Sequence, residues 1–231
     1  MPFQPVSRLQ NLALFKNLSF AEVESILQSG RQKKVGSEIF FFVQDDPANA
    51  FYVLIQGKVR LSQFTSDGQQ ILLRIIVPIT PFGAVALAEN ERYPVSAQAI
   101  EPATAIVWTK ESLDRLLVKY PQLAINAVKI LAEHVQEFQQ RFTEIATQRV
   151  ERRLARMILR LANQTGIKTE RGVEVNLPLS RQDLAEMVGT TLYTVSRTLS
   201  QWETQGLIHS GRERLIILHP HGLVKIAEEE S

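Results

Sequence analysis

The chain of 231 residues contains no cysteine. Disulfide bonds, thiolate zinc sites, cysteine-ligated iron–sulfur clusters and a cysteine nucleophile are therefore excluded. The same absence fits a cytoplasmic protein, because disulfides stabilise mainly secreted ones. Histidine is also scarce: there are four, and the first is His134. The segment before it has no imidazole with which to bind a catalytic metal ion.

A strong net charge and a long apolar run are missing as well. The 26 Lys and Arg residues nearly balance the 24 Asp and Glu residues, which gives a formal net charge of +2. This balance does not by itself predict nucleic-acid binding. No stretch approaches the roughly 18 apolar residues that a membrane span requires, and the N-terminus lacks a signal-peptide pattern. We expect a soluble, cytoplasmic protein with no membrane partner and, from its length, two domains.

Short apolar runs occupy the segment from Lys34 to Trp108, after one or two short helices expected between Leu12 and Ser29. The runs are EIFFFV, AFYVLI, KVRLSQF, QILLRIIV, VSAQAI and ATAIVW, separated by turn residues. Strands at this spacing predict a small antiparallel barrel or sandwich. A metal-dependent barrel enzyme is an alternative from another class, but the segment has no histidine ligand for it.

A long helix is predicted after Pro121. Apolar residues recur in it at alternating intervals of four and three, with Val128, Val135 and Phe142 at heptad position a and Ala124, Leu131, Phe138 and Ile145 at position d. Such a narrow stripe predicts a two-helix interface, and β-branched residues at two of the a positions favour a parallel dimer. The alternative, that the stripe packs on the barrel of its own chain, must hold for part of the helix.

The segment from Ser180 to Ile208 predicts two short helices joined by a tight turn. Ser180 can cap a helix whose third position is Asp183, the reciprocal pattern that satisfies free N–H groups at a helix start. Gly189 is suited to end this helix, because a positive φ there costs glycine little. Thr191 can cap the second helix.

The second helix has an apolar face and a polar face. Val195 and Leu199 lie four apart and face inward, whereas Tyr193, Arg197 and Ser200 recur on the opposite face. Such a face can enter the DNA major groove and present donors to base edges and phosphates. An ordinary helical hairpin with a solvated polar face remains the alternative for this pattern alone.

The residues that follow favour the DNA-binding interpretation. In HSGRERLIIL, two short apolar runs flank the turn residues 210–213, which predicts a hairpin, or wing, beside the second helix. Upstream, the run RVERRLARMILR from Arg149 to Arg160 holds five arginines. Some of these can contact or steer DNA phosphates, and the rest are expected to pair with carboxylates on a solvated helix face.

Several local motifs have a recognisable form. They are LFKNLS, AFYVLIQGKVRLSQFTSDGQQILL, Phe82-Gly83, SAQAIE, RLARMILRLA and LSRQDLAEMVGTTLYTVSRTLSQWETQGLI. With the order barrel, long helix and winged helix, they resemble the cyclic-AMP receptor protein / fumarate-nitrate reduction regulator (CRP/FNR) superfamily of bacterial transcription factors over nearly the whole chain. The resemblance implies an α+β fold: an N-terminal cyclic-nucleotide-binding-like β-roll (a double-stranded antiparallel barrel), a dimerisation helix and a C-terminal winged helix-turn-helix.

Members of this superfamily bind an effector in the roll, reorient their winged helices and then bind a palindromic promoter site. The resemblance places the effector pocket at Phe82, Gly83, Ala84, Val85, Arg92, Ser96, Ala97 and Leu131. Members that bind cyclic AMP have a glutamate where this chain has Ala84 and an arginine where it has Val95. A buried phosphodiester without its arginine would be poorly paired, so we expect an effector other than cyclic AMP, or none. Arg92 could replace the missing arginine only if the loop is unusual.

The YPVSAQA form is more similar to the fumarate-nitrate and nitric-oxide-responsive branch. Iron–sulfur clusters are excluded by the lack of cysteine, which leaves haem or another small molecule; His134 is a candidate haem ligand, although a structural role is expected. His219 and His221 are expected in a surface turn, and no metal site is expected. The branch usually has a glutamate at the position of Tyr193, so the half-site should differ at the base pair read there.

We therefore expect a homodimeric, sequence-specific DNA-binding regulator with no enzymatic activity, RNA polymerase as a partner and three regions: residues 1–120 (effector roll), 121–148 (dimerisation helix) and 149–231 (winged helix). The residues expected to contact bases are Tyr193, Ser196, Arg197 and Ser200, and those expected to contact phosphates are Arg181, Gln182, Thr190 and Thr191. The competing hypothesis is a metabolite-binding barrel protein or enzyme with a vestigial winged helix, and an effector-independent regulator is a third.

Overall fold

The computed structural model describes residues 9–66, 70–88, 91–211 and 213–228. The chain divides into two compact units, Met1–Glu137 and Phe138–Ser231. We call them the N-terminal unit and the C-terminal unit and describe each by itself. None of the helices in the described ranges is long and apolar enough to cross a membrane.

The N-terminal unit begins with a short 3₁₀ helix, Ala13–Phe15, and with helix α1, Phe20–Ser29. Within the described residues eight strands follow: β1 Arg31–Val35, β2 Phe40–Phe42, β3 Ala50–Gln56, β4 Val59–Phe64, β5 Gln70–Ile76, β6 Thr80–Phe82, β7 Ser96–Ala99 and β8 Ala103–Thr109. A second 3₁₀ helix, Ala84–Leu87, lies between β6 and β7. Helices α2, Lys110–Lys119, and α3, Pro121–Thr147, come next, and α3 extends into the C-terminal unit.

The strands form two antiparallel four-stranded sheets, with the orders β1-β8-β3-β6 and β2-β7-β4-β5. One hydrophobic core contains residues from both sheets, and aromatic rings fill its centre. Phe42 stacks on Tyr93 with ring centroids 3.7 Å apart, and Tyr52 stacks on Phe82 at 4.9 Å. This packing confirms the predicted antiparallel β-roll.

A second core lies between the first sheet and the helices that flank it. Trp108 of β8 is buried there, and its indole Nε1 donates to the Ile26 carbonyl oxygen at 3.0 Å and to Ser29 Oγ at 3.2 Å. These bonds join β8 to the last turn of α1. Buried Asn126 of α3 donates to the carbonyl oxygens of Leu14 and Lys16, which ties the first turns of α3 to the same core.

The predicted apolar stripe of α3 is largely exposed. Phe138 is 70% exposed, and Val128 and Phe142 are each 66% exposed. Leu131, Val135 and Ile145 are exposed to a lesser degree, while Ala124 is half-buried. A different set of residues, Leu123, Asn126, Ala127 and Ile130, packs against the roll. A different face of α3 therefore packs on the roll, and the stripe stays exposed to solvent.

The C-terminal unit begins with the end of α3 and continues with α4, Val150–Thr165, β9, Gly166–Thr169, and β10, Gly172–Val175. It then has α5, Arg181–Val188, α6, Leu192–Thr204, β11, Ile208–Gly211, β12, Arg214–Ile217, and α7, Pro220–Glu228. The strands β9 to β12 form one antiparallel sheet of order β11-β12-β10-β9. The predicted α+β fold and winged helix-turn-helix are confirmed.

Replacing Trp108 by alanine should destabilise the N-terminal unit by about 3–5 kcal/mol, because it removes a large buried side chain and leaves a cavity. Urea unfolding followed by circular dichroism measures the change. The matched control is Phe20→Ala in α1, whose ring is exposed, and this variant should stay within about 0.5 kcal/mol of the wild type. Equal losses in the two variants would contradict the core assigned to Trp108.

Candidate DNA-binding site

Helices α5 and α6 have the predicted caps at the start of each helix and at the end of α5. Ser180 Oγ accepts from the Asp183 N–H at 3.0 Å, and an Asp183 carboxylate oxygen accepts from the Ser180 N–H at 2.8 Å. Gly189 ends α5 with φ 66°, a left-handed conformation that favours glycine. Thr191 Oγ1 accepts from the Thr194 N–H at 3.2 Å and so caps α6. The sequence therefore predicted this local geometry residue by residue.

Helix α6 presents the predicted polar face to solvent. Val195 and Leu199 are buried as predicted, together with Thr198 and Trp202. Tyr193 is 73% exposed, Arg197 and Ser200 are exposed, and Ser196 is half-buried. Donors on an exposed face of a helix that is anchored by its other face can reach the edges of base pairs in a major groove.

The four residues expected to contact phosphates have different surroundings. Gln182 is exposed and donates to Glu186, and Thr190 is half-buried, with its N–H bonded to the Ala185 carbonyl oxygen. Thr191 is the exposed cap of α6. Arg181, in contrast, donates to Ser210 Oγ at 3.1 Å within the chain.

The wing is joined to α6 through Glu203 in the last turn of that helix. One carboxylate oxygen of Glu203 accepts from the Ser210 N–H at 2.6 Å, and the other lies 4.0 Å from Arg181. His209 Nδ1 is 3.9 Å from the same carboxylate. Arg181 and Glu203 therefore hold the start of α5, the end of α6 and strand β11 together, a role that sequence reasoning did not assign to either residue.

The hairpin formed by β9 and β10 is another feature that sequence reasoning missed. Strand β10 pairs with β12, which makes the wing part of a four-stranded sheet. On this sheet Arg214 forms a two-pronged ion pair with Glu174, at 2.7 and 2.9 Å. The signal was present in the turn residues Glu170-Arg171-Gly172 and in the alternation of Val173 and Val175.

Arginines at the start of α4 make the expected pairs with a carboxylate, and they also bond to backbone carbonyl groups. Arg152 and Arg156 both donate to the Ala227 carbonyl oxygen at the end of α7, at 3.0 and 2.9 Å. Arg156 and Arg160 also lie 3.2 and 3.5 Å from the buried carboxylate of Glu144. The chief acceptors are thus backbone carbonyl groups and one carboxylate.

The residues expected to line an effector pocket do not share one environment. Phe82 and Ala97 are buried in the aromatic core, Gly83 and Val85 are half-buried beside it, and Ala84 and Leu131 are exposed. Ser96 is buried, and its Oγ accepts from the Gln44 N–H at 2.9 Å. Arg92 is exposed, and its guanidinium donates to the Asp45 carbonyl oxygen.

The aromatic core contains two tyrosines, Tyr52 and Tyr93. The Tyr93 hydroxyl donates to the Ala50 carbonyl oxygen at 2.5 Å and accepts from the Ala50 N–H at 3.1 Å. Burial raises the pKa of Tyr93 and that of Tyr52. Both phenols therefore stay protonated at neutral pH, and the centre of the roll carries no phenolate charge.

His134 of α3 contacts the roll. Arg74 Nη1 of β5 lies 2.7 Å from His134 Nε2. Burial, and then the positive charge of Arg74, lower the pKa of His134, so a neutral ring accepts this hydrogen bond at neutral pH. His219 and His221 are exposed, and no group of three or more His, Asp or Glu side chains within the described ranges is arranged to hold a metal ion.

Comparison with known proteins agrees with this geometry. The family model for the cyclic nucleotide-binding domain matches residues 32–120, and that for the Crp-like helix-turn-helix domain matches residues 152–226. Among relatives, the global nitrogen regulator of Synechococcus elongatus is 27% identical over 92% of this chain and 94% of that protein. The transcriptional activator protein FnrA of Stutzerimonas stutzeri is 25% identical over 95% of this chain and 90% of that protein.

Solved structures share the fold. FixK2 from Bradyrhizobium japonicum superposes with a TM-score of 0.74 at 23% identity, over 87% of this chain and 99% of that one. The Thermus thermophilus catabolite activator protein is 26% identical over 93% of this chain and 98% of that one, with a TM-score of 0.55. The relatives are regulators of transcription rather than enzymes. From its roll, its winged helix-turn-helix and these relatives, the chain belongs to the CRP/FNR superfamily of DNA-binding transcriptional regulators.

Proposed function

We propose that this regulator acts as a homodimer that binds a palindromic promoter site, with one recognition helix α6 in each of two successive major grooves. The observation that carries the proposal is the combination of an exposed polar face on α6 with an exposed apolar stripe on α3. A twofold dimer presents two copies of the same helix, and DNA half-sites one helical turn apart match that symmetry.

In the proposed dimer, the stripe is covered by the same stripe of a second copy of this chain. Exposed side chains at six heptad positions, from Val128 to Ile145, would leave a long apolar surface in water. Pairing with an identical stripe buries each a and d side chain against its counterpart. The half-buried Ala124 marks the end of the stripe where the roll already covers the helix.

The chemistry of α6 supports a division of roles. A guanidinium can donate two parallel bonds to guanine O6 and N7, so Arg197 is the proposed base reader. Ser196, Ser200 and Tyr193 supply hydroxyls for base edges, while Gln182, Thr190 and Thr191 are placed at the ends of the helices for phosphate contact. For Arg181 a phosphate contact would be additional to its contact with the wing.

The proposed control is by an effector other than cyclic AMP, with effector-independent binding as the second candidate. Stacked aromatic rings fill the centre of the roll. The Ser96 hydroxyl oxygen already accepts a hydrogen bond from the Gln44 N–H. Relatives named for anaerobic and nitrogen control, and the YPVSAQA form, support placement nearer the FNR branch. RNA polymerase as a partner and the cytoplasm as location follow from the proposed role at promoters.

Replacing Arg197 by alanine should cost about 1–3 kcal/mol of specific binding, or about 5- to 150-fold in affinity, because a two-bond base contact is lost. The target is the palindrome that the wild-type protein selects from random duplex DNA, and fluorescence anisotropy measures the affinity. Arg115→Ala, at an exposed arginine of α2, should bind like the wild type. A uniform loss across sequences with a reduced salt dependence would identify Arg197 as a phosphate contact instead.

Replacing Val135 by aspartate should raise the dissociation constant of the dimer at least about 100-fold, since like charges facing each other across an interface cost several kcal/mol. Analytical ultracentrifugation measures the change. Gln136→Asp introduces the same charge at the neighbouring exposed position outside the stripe and should leave the dimer intact. A dimer of undiminished affinity in Val135→Asp would contradict the proposed interface.

Cyclic AMP should neither bind the protein nor change its affinity for the selected DNA. The side chain of Ala84 cannot accept from a ribose hydroxyl, and that of Val95 cannot neutralise a phosphate, so the buried anion would lack its partners. Isothermal titration calorimetry at ligand concentrations of about 1 mM tests this, with a cyclic-AMP-activated family member as control; 1 mM corresponds to about −4 kcal/mol. A saturable binding heat would disprove the prediction.

A further inference from the structure

One buried guanidinium joins three helices in the C-terminal unit. Arg153 of α4 is 8% exposed, and its Nε donates to the Val188 carbonyl oxygen at 3.0 Å while its Nη2 donates to that of Gly189 at 3.2 Å. Its Nη1 donates to the carbonyl oxygens of Gln148 at 2.7 Å and Ile145 at 3.4 Å. The first pair ends α5, and the second pair lies at the end of α3.

This arrangement suits arginine in particular. The last carbonyl groups of a helix have no partner within the helix and carry the negative end of the helix dipole. A guanidinium is a planar fork of five donors, so a single side chain can bond to carbonyls on two sides. The ammonium of lysine is a compact group that cannot span both pairs in the same way.

Two further contacts fix the end of α3. The carboxylate of Glu144 is 4% exposed and lies within 3.5 Å of both Arg156 and Arg160 of α4. The side chain of Ile145 lies against the turn, because a Cβ added to Gly189 would be 3.6 Å from Ile145 Cδ1. The end of α3, the start of α4 and the end of α5 are therefore one interlocked joint.

The joint lies between the two surfaces on which the proposed function depends. Phe138 and Phe142 of the dimer stripe belong to the same unit and precede the joint, and Ile145 of the stripe is part of it. Gly189 lies two residues before Thr191, the cap of the recognition helix. Within a dimer, the angle at which the joint holds α5 and α6 to the end of α3 sets the separation of the two recognition helices.

We propose that Arg153 is a positioning residue that determines which half-site spacing the dimer accepts. The inference rests on the proposed function. Arg153 acts through the α5–α6 turn and touches no DNA, since its donors are engaged with carbonyl groups inside the protein. Loss of its bonds frees the angle between α3 and the helix-turn-helix, so affinity should become less dependent on spacing.

The test uses the full chain and the selected palindrome with its two half-sites moved apart or together by one and two base pairs. Each added base pair turns one half-site by about 35° around the DNA axis, which a rigid dimer cannot follow. The wild type should lose at least about tenfold in affinity per step, or about 1.4 kcal/mol. In Arg153→Gln this loss in affinity per step should fall to about threefold or less, with the base preference within each half-site unchanged.

The matched control is Arg152→Gln. It removes the same charge from the neighbouring position, but the guanidinium of Arg152 donates to the Ala227 carbonyl oxygen in α7. It should therefore keep the wild-type dependence on spacing. Arg153→Lys keeps the charge without the fork of donors and should show an intermediate loss in affinity per step. If circular dichroism shows that Arg153→Gln is unfolded, Arg153→Lys is the variant that tests the inference.

A wild-type dependence on spacing in a folded Arg153 variant would overturn the inference alone, whatever happens to the overall affinity. A reduced salt dependence with unchanged spacing preference would also overturn it, because Arg153 would then be a phosphate contact. Failure of the wild-type protein to select any palindrome would instead overturn the proposed function, and this inference with it.

Discussion

Carbonyl groups at helix C-termini need donors, and the C-terminal unit meets that need with arginine side chains. Arg153 bonds to carbonyl oxygens at the ends of α3 and α5, and Arg152 and Arg156 do the same for α7. Because these groups are largely shielded from water, the bonds are not readily exchanged for hydration. The placement of the helix-turn-helix depends on the contacts of Arg153 with Val188 and Gly189.

The exposed surfaces of the two proposed interfaces differ in chemistry. The stripe on α3 is apolar and belongs to a helix whose other face already packs on the roll. The exposed face of α6 offers hydroxyl groups and one guanidinium, over a base of buried Val195, Leu199 and Trp202. An apolar stripe gains from contact with a like surface, whereas a polar face keeps its donors solvated until DNA replaces the water.

The roll has the fold of a cyclic nucleotide-binding domain, and aromatic side chains fill its interior. Phe42, Tyr52, Phe82 and Tyr93 pack ring against ring, and the raised pKa of the two phenols keeps that centre uncharged. Arg92, the candidate partner for an anionic ligand, instead bonds to the Asp45 carbonyl oxygen. Fold and ligand chemistry are separate properties, because the fold rests on strand pairing and the ligand on a few side chains.

Local sequence patterns were sufficient to predict much of the structure of this protein. The Ser180–Asp183 capping pair, Gly189 in its left-handed turn, the inward Val195 and Leu199 and the heptad stripe of α3 are all visible in the sequence, because helix periodicity and caps involve residues three or four apart. The pairing of β10 with β12, the Arg181–Glu203 contact and the bonds of Arg153 to Val188 and Gly189 were not visible. Each depends on which distant segments meet and on the direction of a long side chain. Composition and periodicity carry no information on those choices, so only the tertiary structure decided them.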